Sequence, residues 1–122
     1  DWHDASNAYP PVADLDAWSQ EKIRLEVVDM QRRGAAVGAR VAVVLMPCKQ
    51  ALAVDAPDPY GSLASDLRAA GLPVLDSASE LARVPGDARA LFFREDSHLN
   101  PTGTRALGLV VAAFVVGSGA LP

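Results

Sequence analysis

Apolar and polar positions along this chain fall into blocks whose period changes. Between Asp14 or Asp16 and Arg33 the apolar residues recur at helical spacing. Ile23, Val27 and Met30 make a stripe, Leu25 and Val28 widen it, and Ala35 prolongs it. This is the period of an amphipathic helix, with Gly34 as the residue that ends it. From Arg40 to Met46 the chain is β-branched and apolar on both alternating faces, as a central strand of a parallel sheet must be, and Pro47 stops it. A loop follows through Asp55-Ala56-Pro57. Asp58 then caps a second helix with Pro59 at its first position, running to Ala70 with Leu63, Leu67 and Ala70 inward and Gly71 closing it.

Leu72 to Leu75 reads as a short strand. Asp76 and Ser77 open a brief third helix in which Ser77 and Glu80 form a capping box. Val84-Pro85-Gly86-Asp87 is a turn, and Ala90 to Phe93 is a third strand. The last helix starts at Pro101, with Asn100 as its N-cap, and continues to about Val116, before Gly117-Ser118-Gly119. Its apolar run, Ala106 to Val116, is shorter than the roughly 20 residues a bilayer requires and reads as a buried helix. Residues 1–13 are polar, carry Pro10-Pro11, and read as an irregular arm in which Trp2 and His3 are either a binding lip or a packed terminus.

Helices alternating with apolar strands predict an α/β fold with a parallel sheet of at least three strands and right-handed crossovers. Sites in such sheets form in the loops after the carboxyl ends of the strands. Pro47-Cys48-Lys49, Asp76-Ser77 and Glu95 to His98 occupy those loops here, and they are expected to gather at one edge.

The 122 residues suffice for one domain or a piece of one, with a modest core. Half the residues are hydrophobic and 21% are charged, so the composition is that of a globular chain. A net charge of -4 leaves no basic stripe for phosphates and excludes a nucleic-acid binder. Arg32-Arg33 is more simply a match to a helix C-terminus. One cysteine excludes an internal disulfide. No charged segment followed by an apolar run opens the chain, so no signal peptide is expected, and a start at Asp1 is what a processed chain would show. Two histidines far apart and a single cysteine give no metal-ligand spacing, and neither Gly34-x-x-x-Gly38 nor Gly103-x-x-x-x-Gly108 is a phosphate loop, so no cofactor is expected.

The chemistry is concentrated in Asp96-Ser97-His98-Leu99-Asn100-Pro101-Thr102-Gly103, where a strand reading gives way to a helix start. A carboxylate beside an imidazole is what a general base with its orienting partner requires. The same two residues also suit a structural role, with His98 packed near the helix start and Asp96 complementing its dipole. Cys48 is either a thiol nucleophile whose thiolate Lys49 would favour, or a small buried residue in a strand-end loop. Lys49 either binds a carboxylate or an anionic substrate group, or pairs with Asp76.

The block Asp-x-His-x-Asn-x-x-Gly, following a strand and leading into an apolar helix, resembles the histidine block of SGNH/GDSL-type hydrolases. The alginate O-acetyltransferase-like branch is the most similar, its block reading Asp-x-His-Trp-(Asn/Thr)-x-x-Gly. That branch also has a strand ending in Pro-x-Lys, here Pro47-Cys48-Lys49, then a Tyr-containing helix, here Pro59-Tyr60-Gly61-Ser62-Leu63. A short strand ending in Asp comes next, here Leu75-Asp76. The matches run in order over residues 40 to 116. Leu99 stands where the branch has tryptophan, and an Asp-x-x-His spacing, used by other members, would nominate Glu95 in place of Asp96.

The resemblance implies a partial, flavodoxin-like SGNH three-layer α/β/α domain. It implies His98 as general base and Asp96 as its orienting acid, with a serine nucleophile attacking an ester carbonyl and backbone N–H groups stabilising the oxyanion. It further implies ester hydrolysis or O-acetyl transfer on a carbohydrate, outside the cytoplasm. None of Ser62, Ser65, Ser77, Ser79 and Ser118 lies in a Gly-Asp-Ser context, so the serine block is expected in the remainder of the protein. A non-catalytic carbohydrate-binding or assembly module on the same fold is the alternative.

Overall fold

A computed structural model describes residues 16–53, 60 and 62–119. The arm at 1–13, with Trp2 and His3, and the expected cap Asp58-Pro59 lie outside the described residues. The first helix, α1 (Ala17–Ala36), begins where Asp16 accepts a hydrogen bond from the Ser19 N–H at 2.6 Å. Gly34 does not end it. The helix runs on to Ala36, and the residue that turns the chain is Gly38, at a φ of 75° where a side chain would be strained. Gly34 instead lies inside the helix, where an added Cβ would stand 3.3 Å from the Val41 side chain.

Strand β1 (Val43–Leu45) pairs in parallel with β2 (Val74–Asp76), in the register Val43 to Val74, Val44 to Leu75 and Leu45 to Asp76. Between them run two helices, α2 (Lys49–Ala53) and α3 (Leu63–Ala69). α2 forms in the stretch after Pro47 that the sequence predicts to be loop. The chain is therefore α/β with a parallel sheet, and among the described residues that sheet has two strands.

The third strand expected over Ala90–Phe93 is corrected by local chemistry. Asp87 accepts from the Arg89 N–H at 2.9 Å, and the Ala90 N–H bonds back to the Asp87 carbonyl at 2.9 Å, winding Ala88–Leu91 into a 3₁₀ turn. Phe92 is extended, but it pairs antiparallel with Leu99 of the same segment. A partner seven residues away in sequence satisfies the backbone before the sheet can.

α4 (Ser77–Leu81) starts on Asp76, whose carboxylate accepts from the Ser79 N–H at 3.3 Å and the Ser79 hydroxyl at 2.6 Å. The expected capping box of Ser77 and Glu80 is thus shifted by one residue. Ser77 is fully buried and donates its hydroxyl to the Leu45 carbonyl, tying α4 to the end of β1. α5 (Pro101–Gly117) is the last helix.

Two apolar clusters hold these elements. Leu45, Leu63, Leu67, Leu72 and Val74 form the first, with Val27 and Val28 of α1 against them. Leu81, Leu91 and Phe92 form the second, with Leu52, Leu99, Ala106, Leu107 and Val110 around them. Ile23, Leu25 and Met30, read as part of the α1 core stripe, are exposed, because α1 meets α3 along a narrow seam. Part of that seam is polar, with the Ser62 hydroxyl on Gln20 and the Gln31 amide on the Gly71 carbonyl. α5 is buried along one face only, with Leu109 and Val116 in solvent. Among the described residues no helix is long and apolar enough to cross a membrane.

Candidate active site

Asp96 and His98 meet through two contacts. Asp96 Oδ1 accepts a hydrogen bond from the His98 backbone N–H at 2.7 Å, and the same oxygen lies 3.3 Å from His98 Nδ1. The first contact is an Asx turn, in which a carboxylate reaches the N–H two residues on. That geometry requires one intervening residue, here Ser97, and it brings the imidazole back over the carboxylate. The ring is 78% exposed, and Nε2 has no partner among the described residues. Glu95 is exposed and forms no ion pair with His98, so Asp96 is the carboxylate beside the ring.

The segment carrying the pair is closed at its base. The Phe93 N–H donates to the His98 carbonyl at 3.0 Å, and the Asn100 N–H donates to the Leu91 carbonyl at 3.0 Å. Asn100 then uses every group of its side chain on backbone. Its Oδ1 accepts from the Gly103 N–H at 3.0 Å, capping α5, while Nδ2 donates to the Ala90 carbonyl at 2.8 Å and the Phe92 carbonyl at 3.0 Å. Asn100 is thus the staple between the 3₁₀ turn and α5.

Gly103 is buried because that staple draws α5 against Leu91. An added Cβ would stand 2.0 Å from the Leu91 carbonyl oxygen. Leu99, where the resembled branch has tryptophan, packs into the second apolar cluster.

Lys49 neither pairs with Asp76 nor faces solvent. Its side chain crosses from the end of β1, 6% exposed, and donates to the carbonyls of Phe93 at 2.8 Å, Arg94 at 3.2 Å and Asp96 at 2.5 Å. Cys48, half-buried, precedes it, and its carbonyl accepts from the Leu52 N–H at 3.0 Å to open α2. The three loops in which the sequence places the site are therefore linked, although the third follows a 3₁₀ turn and not a sheet strand: Ser77 to Leu45, and Lys49 to the His98 loop. Two surface depressions of about 250 and 450 Å³ lie elsewhere, one against Arg40 and Pro73 and the other against Arg24 and Asp66.

Several serines have their hydroxyls committed. Ser62 bonds to Gln20 and Asp66, Ser65 to the Ser62 carbonyl, Ser77 to Leu45, Ser79 to Asp76 and Ser118 to the Val115 carbonyl.

A family model for the SGNH hydrolase-like domain of acetyltransferase AlgX matches residues 5–121. The chain belongs to that family. No curated protein and no solved structure matches it. The SGNH hydrolase-like family suggests acyl transfer or hydrolysis. The sequence missed the three-carbonyl contact of Lys49 and the packing need at Gly103. The signal for the first was a lone lysine just past a strand that carries no charge beyond Arg40, with Pro47 and Cys48 between.

Proposed function

We propose that this chain supplies the base and its orienting acid for an ester-cleaving reaction, with His98 as general base and Asp96 as the carboxylate that holds it. Supporting this is the Asp96 Oδ1 to His98 Nδ1 distance of 3.3 Å on a ring that is 78% exposed. A carboxylate on Nδ1 selects the tautomer that leaves Nε2 unprotonated, and the same carboxylate stabilises the imidazolium formed when Nε2 takes a proton. The proton comes from a serine hydroxyl that attacks the ester carbonyl. It then passes from Nε2 to the departing alkoxide, leaving His98 neutral. In the second half Nε2 takes the proton of the attacking water or sugar hydroxyl and returns it to the serine oxygen as the acyl bond breaks.

The serine lies outside these 122 residues, in the remainder of the protein, so this chain is one part of a larger SGNH domain. The hydroxyls of Ser62, Ser65, Ser77, Ser79 and Ser118 are committed to other partners, so none of these five is offered as the nucleophile. We take the ester to be an acetylated carbohydrate met outside the cytoplasm, as the resemblance of the Asp96–Gly103 block to the alginate O-acetyltransferase-like branch implies.

Hydrolysis of an aryl acetate by the full-length protein tests the assignment. His98→Ala and Asp96→Asn are each expected to lower kcat at least about 100-fold, the scale of a lost general base. Glu95→Gln is expected to leave it unchanged. Retained turnover in His98→Ala would sink the reading. An acetylated oligosaccharide added as donor or acceptor then separates transfer from hydrolysis.

A further inference from the structure

We infer that Lys49 is a positioning residue for His98, acting through the backbone of the loop that carries the base. The inference rests on the reading of His98 as base. The loop from Phe93 to His98 has little apolar anchorage of its own: Phe93, Arg94, Glu95 and His98 are exposed, and Asp96 and Ser97 are half-buried. What holds it is hydrogen bonding. The Phe93 N–H to His98 carbonyl bond closes its base, and the Asp96 carboxylate holds the His98 N–H. The third hold comes from 44 to 47 residues upstream, where the Lys49 ammonium takes the carbonyls of Phe93, Arg94 and Asp96.

An ammonium presents several donors from one point, and three carbonyl oxygens of this loop converge on it. A buried ammonium so placed is held by its partners, because it has little water to fall back on. Asp96 is the point of transfer. Its carbonyl is bound to Lys49 while its carboxylate orients His98, so fixing the backbone of Asp96 fixes the acid beside the imidazole. Lys49 touches no reacting atom. It opens α2, four residues past the end of β1, and the chain of contact runs from α2 to the loop that carries the base.

The test uses the full-length protein with Lys49→Met, which keeps the length and apolar stem and removes the three donors. Amide hydrogen exchange is read on peptides covering 93–99, with 63–69 as the internal reference. The expected result is exchange at least tenfold faster over 93–99 with the reference unchanged. On an aryl acetate, kcat should fall at least tenfold while KM stays within about twofold.

Lys49→Arg keeps the charge but presents a planar fork that cannot converge on three carbonyls. It should show the same selective quickening, and it carries the test if the methionine variant does not fold. Equal quickening in both segments, or none in either, overturns the inference. A wild-type protein without esterase activity sinks the role of His98 as base but leaves the exchange result to decide the loop. Activity with unselective exchange does the reverse.

Discussion

At the scale of single residues, the block from Asp96 to Gly103 performs several structural tasks besides holding an imidazole. Asn100 makes three side-chain hydrogen bonds, all to backbone. Asn100→Ala should destabilise by about 1–3 kcal/mol, adding a lost N-cap to the loss of a part-buried hydrogen bond to Phe92 and an exposed one to Ala90. Asn100→Asp separates the two parts. It keeps the acceptor for the Gly103 N–H but turns a carboxylate oxygen toward the carbonyls of Ala90 and Phe92. It should therefore cost as much as alanine, although aspartate is as good a cap; a mild Asn100→Asp in urea unfolding would mean the staple contributes little. Gly103→Ala places a Cβ 2.0 Å from a backbone oxygen that cannot swing aside, and a loss of at least about 3 kcal/mol is expected. The pairing of Asp96 with His98 and the cap at Asn100 were legible in the sequence because both are set within a few residues. The contacts of Lys49 were not, since its partners lie 44 to 47 residues away and are carbonyls, which every residue carries.

At the scale of elements, the same division between local and distant causes decides what could be read. The start of α1 at Asp16, the Gly71 turn at a φ of 84° and the Asn100-Pro101 start of α5 follow from periodicity and capping, and they stand where the sequence puts them. The end of α1 moved from Gly34 to Gly38, because a glycine inside a helix can serve close packing and only a positive φ marks the turn. The apolar run over Ala90–Phe93 is real, but it says nothing of which backbone the segment will pair with. Along α1, Asp29 accepts from Arg32 at 2.5 Å and pairs with Arg33 at 2.5 Å. The hydrogen bond from Arg32 chiefly holds the Asp29 carboxyl below its ordinary range, with Arg33 adding to it. A carboxyl lowered by folding contributes stability that is fully present above its unfolded pKa and is lost as pH falls through the folded one. Asp29→Asn should therefore melt below wild type at neutral pH. The gap should close on acidification past the carboxylate range and narrow in high salt, since these side chains are solvent-exposed. Thermal unfolding across pH reads it, and a gap that persists in strong acid would show that the pair is not its source.

At the scale of the molecule, the two clusters divide the work. The first seats α1 and α3 on the sheet, and the second seats the 3₁₀ turn and α5 under the His98 loop. Lys49 and the Ser77 hydroxyl cross between these regions where the strands end, so the candidate site stands on the seam and depends on both. Each helix buries only part of its apolar surface, and that asymmetry makes a sharp prediction. Leu67 of α3 is 0% exposed, whereas Leu109 and Val116 of α5 are 68% and 71% exposed. Leu67→Ala in the full-length protein should cost about 2–5 kcal/mol, the price of a cavity in a packed cluster. Leu109→Gln and Val116→Thr should each fall within about 0.5 kcal/mol of wild type, as substitutions on open surface do. Leu107→Ala, one turn-face away and packed against the second cluster, is the internal control that α5 is seated, and it should cost several times more than Leu109→Gln. A cost at Leu109 approaching that at Leu67 would mean that segments outside the described residues cover the outer face of α5. The helix behind the base would then be held from both sides, and the stiffness of the His98 loop would owe as much to that cover as to Lys49.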